Sequence, residues 1–378
     1  MIRTTSQFGE CCRGMFKLHR KSRYMLARVS VIIGTILFML PSLWAQSEEA
    51  IQVSEEIAQN LFESKDFPGM VITVAKGHEW QWTTSYGYAN VEDSIGIDAN
   101  KSLFRIGSVS KTLTAIGLMQ LYQQGTIDLD AEIQEYVPEF PQKEYSVSVR
   151  QIAQHVGGIR HYEGDEFLNN VHYNTVKDGL GIFVNDNLLY EPGTKYAYSS
   201  YGWNLISAAM ETASGQEFLL YMKNHVFVPA DMQFTFPDDA TSMMTHRVAF
   251  YEKGKVLSPQ VDNSYKWAGG GFLSTSTDLV RFSQAVLDNT LISKETLDVA
   301  LQTYTLENGK ATTRGIGFEV DEDKKGRPWF GHGGGSVGGT TMLIIYPEEE
   351  LIVAILVNQS GASVRNVAFR IAEQFLEH

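Results

Sequence analysis

Apolar residues recur at helical spacing in four segments of the chain, and each segment predicts a helix that buries one face against a core. In one of them Leu113, Ile116 and Leu121 fall on the same side, and Gly125 is placed to end the helix. The four predicted helices cover Ile51–Ser64, Ser108–Gln124, Tyr201–Thr212 and Ser363–Leu376.

Shorter apolar runs predict strands towards both ends of the chain. A turn around Gly77 joins the first two, and a turn with Pro347 and three glutamates joins the last two. The predicted strands cover Met70–Ala75, Glu79–Tyr88, Gly315–Val320, Thr340–Tyr346 and Leu351–Val357. This order of strand pair, helices, strands and final helix predicts an α/β fold of the α+β type, in which helices pack on an antiparallel sheet.

The composition is that of a globular protein, with 378 residues, 43% hydrophobic and 20% charged. It excludes collagen-like, disordered and multi-span membrane proteins. The net charge is −13, and residues 1–45 hold seven Lys/Arg and one acid. The remainder therefore has 24 Lys/Arg against 43 Asp/Glu, a net charge of −19. So acidic a body repels phosphate backbones, and we expect no nucleic-acid partner.

The N-terminal segment has the pattern of a targeting signal. A basic head, the apolar run Val29–Leu40 and the small residue Ala45 predict a secretory signal peptide over residues 1–45, and hence a periplasmic or secreted protein. An uncleaved membrane anchor and an organelle transit peptide stay open as alternatives. Both cysteines, Cys11 and Cys12, lie in this segment, so the rest of the chain has no disulfide, Cys nucleophile or Cys metal site.

Ser108 and Lys111 form the single S-x-x-K motif of the chain, at the start of a predicted helix. Spacing i, i+3 places both side chains on one helix face. A serine hydroxyl becomes a nucleophile when a neighbour takes its proton, and a lysine does so when burial and nearby cations lower its pKa. The free N–H groups of the first turn can bind an oxyanion. Taken alone, the motif also fits a helix-capping serine beside a solvated lysine.

Two later motifs change this interpretation. Tyr198 lies in the segment Tyr196–Ser200, between the Pro192-Gly193 turn and a predicted helix, where its hydroxyl can relay a proton. His332 is followed by three glycines, which let the backbone approach a ligand closely. An S-x-x-K, then a Tyr/Ser motif, then a [K/H]-x-G on a late strand is the ordered triple of serine β-lactamases and penicillin-binding proteins.

Longer runs extend this resemblance over nearly all of residues 50–378. The chain resembles the class C β-lactamase-related serine hydrolases, and in particular the serine proteases among them. The runs that carry the resemblance are Phe104–Lys111, Tyr136–Pro141, Gly158–Tyr162 and Val261–Thr275. It implies one catalytic domain over 46–378, with a sheet part flanked by helices (about 50–105 and 265–378), a mostly helical part (about 106–264) and a cleft between them.

The resemblance also implies roles for individual residues. Ser108 attacks the acyl carbonyl, and Lys111 is the base or part of a proton relay. Tyr198 acts as general base and then as acid to the leaving group. The backbone N–H groups of Ser108 and Gly335 form the oxyanion hole. The residues expected to contact the substrate are Ser200, His332, Gly333 and Gly334.

Two positions depart from the family pattern. Ser200 stands where many relatives have Asn; it offers a substrate amide only one hydroxyl, and it fits equally well as the cap of the next helix. His332 replaces the Lys of the drug-hydrolysing enzymes, and a His with the ordinary pKa of ~6.5 is mostly neutral at pH 7. Both changes argue against efficient β-lactam hydrolysis and favour a peptidase or an esterase.

The sequence therefore predicts a serine hydrolase, in the first place a peptidase, that forms a Ser108 acyl-enzyme with a peptide or small acyl substrate. A β-lactamase, D-Ala carboxypeptidase or esterase of the same fold is the alternative enzyme. A penicillin-binding-like scaffold without catalysis is the non-enzyme alternative. No cofactor is required. His155, His161, Glu163 and His172 match no zinc pattern, so we expect no metal site.

Overall fold

The computed structural model describes residues 48–377. One compact unit comprises Val53–Glu377 and contains every element considered below. The predicted signal segment, residues 1–45, lies outside the described residues. Across residues 48–377, no helix combines the length and apolar character needed to cross a bilayer.

The described residues form twelve strands and ten α-helices. The strands are β1 (Gly69–Lys76), β2 (Glu79–Asn90), β3 (Ile95–Gly96), β4 (Phe104–Arg105), β5 (Phe236–Pro237), β6 (Tyr251–Glu252), β7 (Val256–Leu257), β8 (Phe272–Ser274), β9 (Glu319–Glu322), β10 (Pro328–Ser336), β11 (Gly339–Tyr346) and β12 (Leu351–Val357). The helices are α1 (53–65 in this unit), α2 (Ser110–Gln123), α3 (Val149–Ala153), α4 (Val176–Leu180), α5 (Tyr201–Ser214), α6 (Phe218–Met222), α7 (Trp267–Gly270), α8 (Ser276–Leu287), α9 (Lys294–Leu301) and α10 (Arg365–Leu376).

Seven strands form the main sheet, in the order β3-β2-β1-β12-β11-β10-β9. All neighbouring pairs are antiparallel. Strands β11 and β12 are buried along their whole length, and helices α8 and α10 both pack on β12. A strand without a solvent-facing side has no alternating polar positions, which explains why Met342–Tyr346 and Leu351–Val357 are continuous apolar runs in the sequence.

Helix α2 is enclosed by other elements. Its residues Ser110–Leu121 are all buried, because α5, α6, α7 and α9 pack against it and β10 also contacts it. The apolar residues in the sequence predict that one face of α2 is buried, but the structure buries all faces of the helix over Ser110–Leu121. Its polar side chains need partners within the protein, and Thr114, for example, donates a hydrogen bond to the carbonyl of Ala268 at 3.0 Å. Lys111, on the first turn of α2, is also buried and has no contact with water.

A small second sheet, in the order β4-β8-β5, fixes the chain just before this helix. Arg105 on β4 is buried and ion-pairs with the buried Asp238 through Nε at 2.6 Å. It also donates to the carbonyl of Val337, in the turn between β10 and β11, at 2.9 Å. The start of α2 is thereby tied to the end of β10, which places residues 107–111 beside the glycines of that strand.

The predicted strand over Gly315–Val320 is wrong in its first four residues, because the strand begins only at Glu319. Gly317 has a φ of +75°, and a Cβ built on it would lie 2.5 Å from the Cβ of Ala115 on α2. The chain turns sharply here and lies directly against α2, which glycine permits and other residues do not. The apolar pattern of this segment reflects contact with a helix and not a place in the sheet.

We expect Gly317→Ala to lower the free energy of unfolding by about 2–4 kcal/mol, because it adds backbone strain and a steric clash with α2. The measurement is urea unfolding followed by circular dichroism. Gly309→Ala is the matched control, since Gly309 has a φ of +80° but nothing within 4 Å of a built Cβ. The control isolates the backbone strain, about 1 kcal/mol. Equal losses for the two variants would contradict the close approach at Gly317.

Candidate active site

The candidate nucleophile lies on a tight turn against the sheet. Ser108 is the middle residue of a 3-10 turn, Gly107–Val109, that leads into α2. Gly107 has a φ of +51°, and a Cβ built on it would lie 2.6 Å from the carbonyl oxygen of Gly335 on β10. The Gly107 backbone therefore reaches Gly335 only because it lacks a side chain. As a result, Ser108 and Gly335 border the same cleft.

The structure brings together the three side chains that the sequence singles out. Lys111 Nζ lies within hydrogen-bond distance of Ser108 Oγ, at 3.2 Å. The Tyr198 hydroxyl donates to the same oxygen at 2.7 Å. Lys111 Nζ lies 4.8 Å from the centroid of the Tyr198 ring. The serine oxygen thus has an amine and a phenol within proton-transfer distance.

The amine of Lys111 is completely enclosed. The side chain is fully buried, and Nζ donates to Ser200 Oγ at 3.0 Å and to the carbonyl of Gly269. Burial lowers the pKa of Lys111 well below its usual value, and the positive charges of Lys266 and Arg314 lower it further. These effects favour the neutral amine, which has a lone pair able to accept the proton of a serine hydroxyl.

The pKa of Tyr198 is shifted in the opposite direction from that of Lys111. Burial raises the pKa of Tyr198, outweighing the hydrogen bond with Ser108 and the charge of Arg314, which lower it. The phenol is therefore protonated at neutral pH and can donate a proton. The resemblance implied that Tyr198 acts as base and then as acid; the two opposite pKa shifts favour Lys111 as the resting base and Tyr198 as the acid.

Ser200 contacts Lys111 and does not line the cleft. It occupies the N-cap position of α5, but its side chain makes no capping hydrogen bond. Its hydroxyl instead accepts a hydrogen bond from Lys111, and the residue is buried. Sequence reasoning left substrate contact and helix capping open. The structure shows neither role: the Ser200 hydroxyl contacts the Lys111 amine and holds it in place.

The glycine-rich segment of β10 divides between the cleft and the protein interior. His332, Gly333 and Gly335 line the cleft. Gly334, expected to contact substrate, is buried, and a Cβ built on it would overlap the carbonyl of Ile106. Gly334 thus permits close packing of β10 on the chain before the nucleophile, and it leaves the neighbouring residues to face the cleft.

Three histidines surround Tyr198. The ring centroids of His155, His161 and His332 lie 4.3, 5.5 and 6.1 Å from that of Tyr198. Nδ1 of His155 accepts from the backbone N–H of Ser199 at 3.1 Å. The sequence indicated only loop or core positions for His155 and His161. Their place beside Tyr198 depends on contacts distant in sequence.

All three histidines are held in the neutral form. Burial is the main cause, and a proton on Lys111 would lower all three pKa values further. The pKa of His161 is lowered to about 4 and that of His332 to about 3, and the pKa of His155 is well below its usual value. Position 332 therefore provides no cation to the cleft at neutral pH. Within residues 48–377, no group of three or more His, Cys, Asp or Glu is arranged to hold a metal ion.

The cleft beside Ser108 has a volume of about 820 Å³, a size that accommodates a short segment of peptide or a drug-sized molecule. Among the described residues that line it, Arg314 is the single Lys or Arg and Glu252 the single acid. The sequence pattern singled out neither of them, because they come from segments without a motif and reach the cleft only through the fold.

One edge of strand β10 is open where it borders the cleft. Strand β9 pairs with β10 only over Pro328–Gly331. Residues His332–Ser336 pair with β11 on their other side and have no strand partner on the β9 side in the described structure. Unpaired backbone groups at a strand edge can pair with an extended peptide. The open edge lies beside Ser108, so a chain bound there would pass the nucleophile.

We expect the ring signals of His155, His161 and His332 to show no titration between pH 6 and 8 in NMR spectra, because the pKa values of all three are lowered from the usual value. The reason is burial, which disfavours the imidazolium form. Single His→Gln variants assign the signals. A midpoint near pH 6.5 for His332 would contradict a neutral residue at this position.

Comparison with known proteins places these features in a family. The Beta-lactamase family model matches residues 55–375. The chain is 29% identical to the human serine beta-lactamase-like protein LACTB, mitochondrial, with 86% of this chain and 80% of the relative covered. It is 27% identical to penicillin-binding protein 4* of Bacillus subtilis (strain 168), over 81% of this chain and 71% of the relative.

A solved structure shows the same architecture. The octameric penicillin-binding protein homologue from Pyrococcus abyssi superposes with a TM-score of 0.76 at 23% identity, covering 86% of this chain and 77% of that one. The predicted fold class, an antiparallel sheet with flanking helices in the manner of penicillin-binding proteins, is confirmed. The family resemblance inferred from the sequence motifs is confirmed as well.

Proposed function

We propose a peptidase activity, through a Ser108 acyl-enzyme, for this chain, which belongs to the Beta-lactamase family. The chain is a hydrolase of the serine β-lactamase fold. The observation that carries the proposal is the pair of hydrogen-bond contacts that Ser108 Oγ makes with Lys111 Nζ and the Tyr198 hydroxyl, in a cleft whose wall is an open strand edge. Because all three groups are in contact, a scaffold without catalysis is the weaker interpretation.

In the acylation step, Ser108 Oγ attacks the carbonyl carbon of the substrate and its proton moves to the neutral amine of Lys111. The oxyanion forms beside the backbone N–H groups of Ser108 and Gly335. When the carbon–nitrogen bond breaks, Tyr198 donates its proton to the leaving amine. Lys111 returns the Ser108 proton to Tyr198, so that one proton passes from the serine to the leaving group. Ser200, bonded to the Lys111 amine, keeps that amine aligned.

In the second step, water attacks the acyl carbon in place of the departed amine. It gives a proton to the same Lys111–Tyr198 pair, and the proton returns to Ser108 Oγ as the ester bond breaks. The products are a carboxylic acid and the free serine. The same groups serve both half-reactions, as expected when the second is chemically the reverse of the first.

Two features favour a peptide over a β-lactam as the substrate. Neutral His332 offers no permanent charge to the carboxylate of a β-lactam. The open edge over His332–Ser336 suits the backbone of an extended chain, whose N–H and C=O groups can continue the sheet. An ester with a peptide-like acyl part would also fit this site, so the leaving group is best tested directly.

We expect Ser108→Ala to abolish labelling by a fluorophosphonate probe and to reduce hydrolysis of a peptide library by about 10³-fold or more, because the attacking oxygen is removed. The readouts are probe mass on the Ser108 peptide and product formation by mass spectrometry. Ser360→Ala is the matched control, since Ser360 lines the same cleft and contacts neither Lys111 nor Tyr198. Turnover retained by the Ser108 variant would refute the mechanism.

Tyr198→Phe should affect amides more than activated esters. We expect a loss of about 10²- to 10³-fold for a peptide amide and less than about 10-fold for a p-nitrophenyl ester, because p-nitrophenolate leaves without a proton. The measurement is kcat/KM of the variant and of the unaltered enzyme for an amide and an ester with the same acyl part. The loss for the amide is then compared with the loss for the ester. Equal losses for the two substrates would show that Tyr198 does not protonate the leaving group.

A further inference from the structure

A second groove adjoins the catalytic cleft. It has a volume of about 650 Å³, and its walls come from the segment before Tyr198 and from the loop before β9. Arg314 lines both the groove and the cleft, and Tyr196, two residues before Tyr198, lines the groove. The two spaces therefore meet at Arg314, close to the proposed proton donor.

The charge of this groove is opposite to that of the protein. Lys195, Lys310 and Arg314 line it, and the described lining residues include no Asp or Glu. Glu191 and Glu307, the acids nearest to the two lysines in sequence, are not among them. The chain as a whole has a net charge of −13. A local group of three cations on so acidic a protein produces a field that attracts negative ligands to this place.

Two of these three cations have no partner among the described residues. Lys195 and Lys310 are exposed, and neither amine forms an ion pair or a hydrogen bond within residues 48–377. Arg314 lies 3.6 Å from Glu319 through Nη1, but Arg365 holds both oxygens of that carboxylate at 2.8 Å. The two lysine amines are thus N–H donors available to the groove, and such donors suit carboxylates.

The position of the groove indicates which part of a substrate reaches it. In the proposed mechanism Tyr198 protonates the leaving group, so the leaving part of the substrate lies on the Tyr198 side of Ser108. Tyr196 and Arg314 continue the wall from there into the groove. A chain that extends from the leaving nitrogen would therefore pass Arg314 before it reaches Lys195 and Lys310.

From these observations we infer that the groove lined by Lys195, Lys310 and Arg314 binds acidic side chains in the leaving-group part of the substrate. The site thereby selects acidic peptides. This inference rests on the proposed function for the direction of the bound chain, but binding of an acidic peptide to the groove does not require catalysis.

The first experiment measures binding without turnover. A fluorescent peptide rich in Asp and Glu and its Asn/Gln counterpart of equal length are titrated into the full chain carrying Ser108→Ala, with fluorescence anisotropy as the readout. We expect the acidic peptide to bind about 3- to 10-fold more tightly, and Lys195→Ala with Lys310→Ala to remove this difference. Lys101→Ala with Lys324→Ala, two exposed lysines outside the groove, is the matched control and should preserve it.

Added salt gives a further test of the charge effect. The preference should decline between 0.05 and 0.5 M NaCl, because exposed charges are screened over about 10 Å at 0.1 M salt. Equal binding of both peptides, or a preference that survives loss of the two lysines, would overturn the groove assignment, whatever the catalytic activity.

The second experiment connects the groove to catalysis. Peptides with one acyl part and either acidic or amide leaving parts are compared in the otherwise unaltered enzyme, and the lysine double variant should lose the preference mainly through KM. Hydrolysis of a p-nitrophenyl ester, which has no extended leaving part, should not change. If the acidic peptide binds but Ser108→Ala still hydrolyses substrate, the proposed function fails while the groove assignment stands.

If acidic residues increase kcat/KM only when they are in the acyl part of the peptide, the groove does not bind the leaving-group part, and the inference fails.

Discussion

The burial of one lysine amine is the constraint on which the candidate site depends. Lys111 lies on the first turn of a helix with no solvent-facing side over Ser110–Leu121. A charged amine without water or a carboxylate partner is costly, and the neighbouring charges of Lys266 and Arg314 add repulsion. The least costly state is the neutral amine, which is also the state that can take a proton from Ser108. The packing of α2 thus produces the reactivity.

The rest of the fold holds two parts of the chain against that amine. The buried pair of Arg105 and Asp238 and the bond from Arg105 to Val337 connect the chain before Ser108 to the end of β10. Gly107 permits the backbone contact that completes this approach. From the helical side, Ser200 and Gly269 bind the Lys111 amine. Removal of one member of a buried ion pair is strongly destabilising, so the geometry of the site and the stability of the fold are coupled.

Much of this arrangement is predictable from local patterns, and the remainder follows from contacts distant in sequence. Strand β12 has the predicted bounds, Leu351–Val357, because a run buried on both faces has a strong signal. The segment Gly315–Phe318 has a similar apolar character but packs on α2, and no local pattern distinguishes a neighbouring helix from a neighbouring strand. Likewise, the role of Ser200 depends on an amine 89 positions away.

By itself the sequence determined the order of the chemical groups, the residue types needed for acyl transfer and the class of fold, because each of these is a property of short runs and their spacing. Tertiary structure alone decided the protonation of Lys111, Tyr198 and the histidines around them, since a pKa depends on burial and on charges from other segments. It also decided that Arg314 joins two lysines in one groove. Electric fields and enclosure arise from groups that are near in space, and spacing along a chain does not specify that proximity.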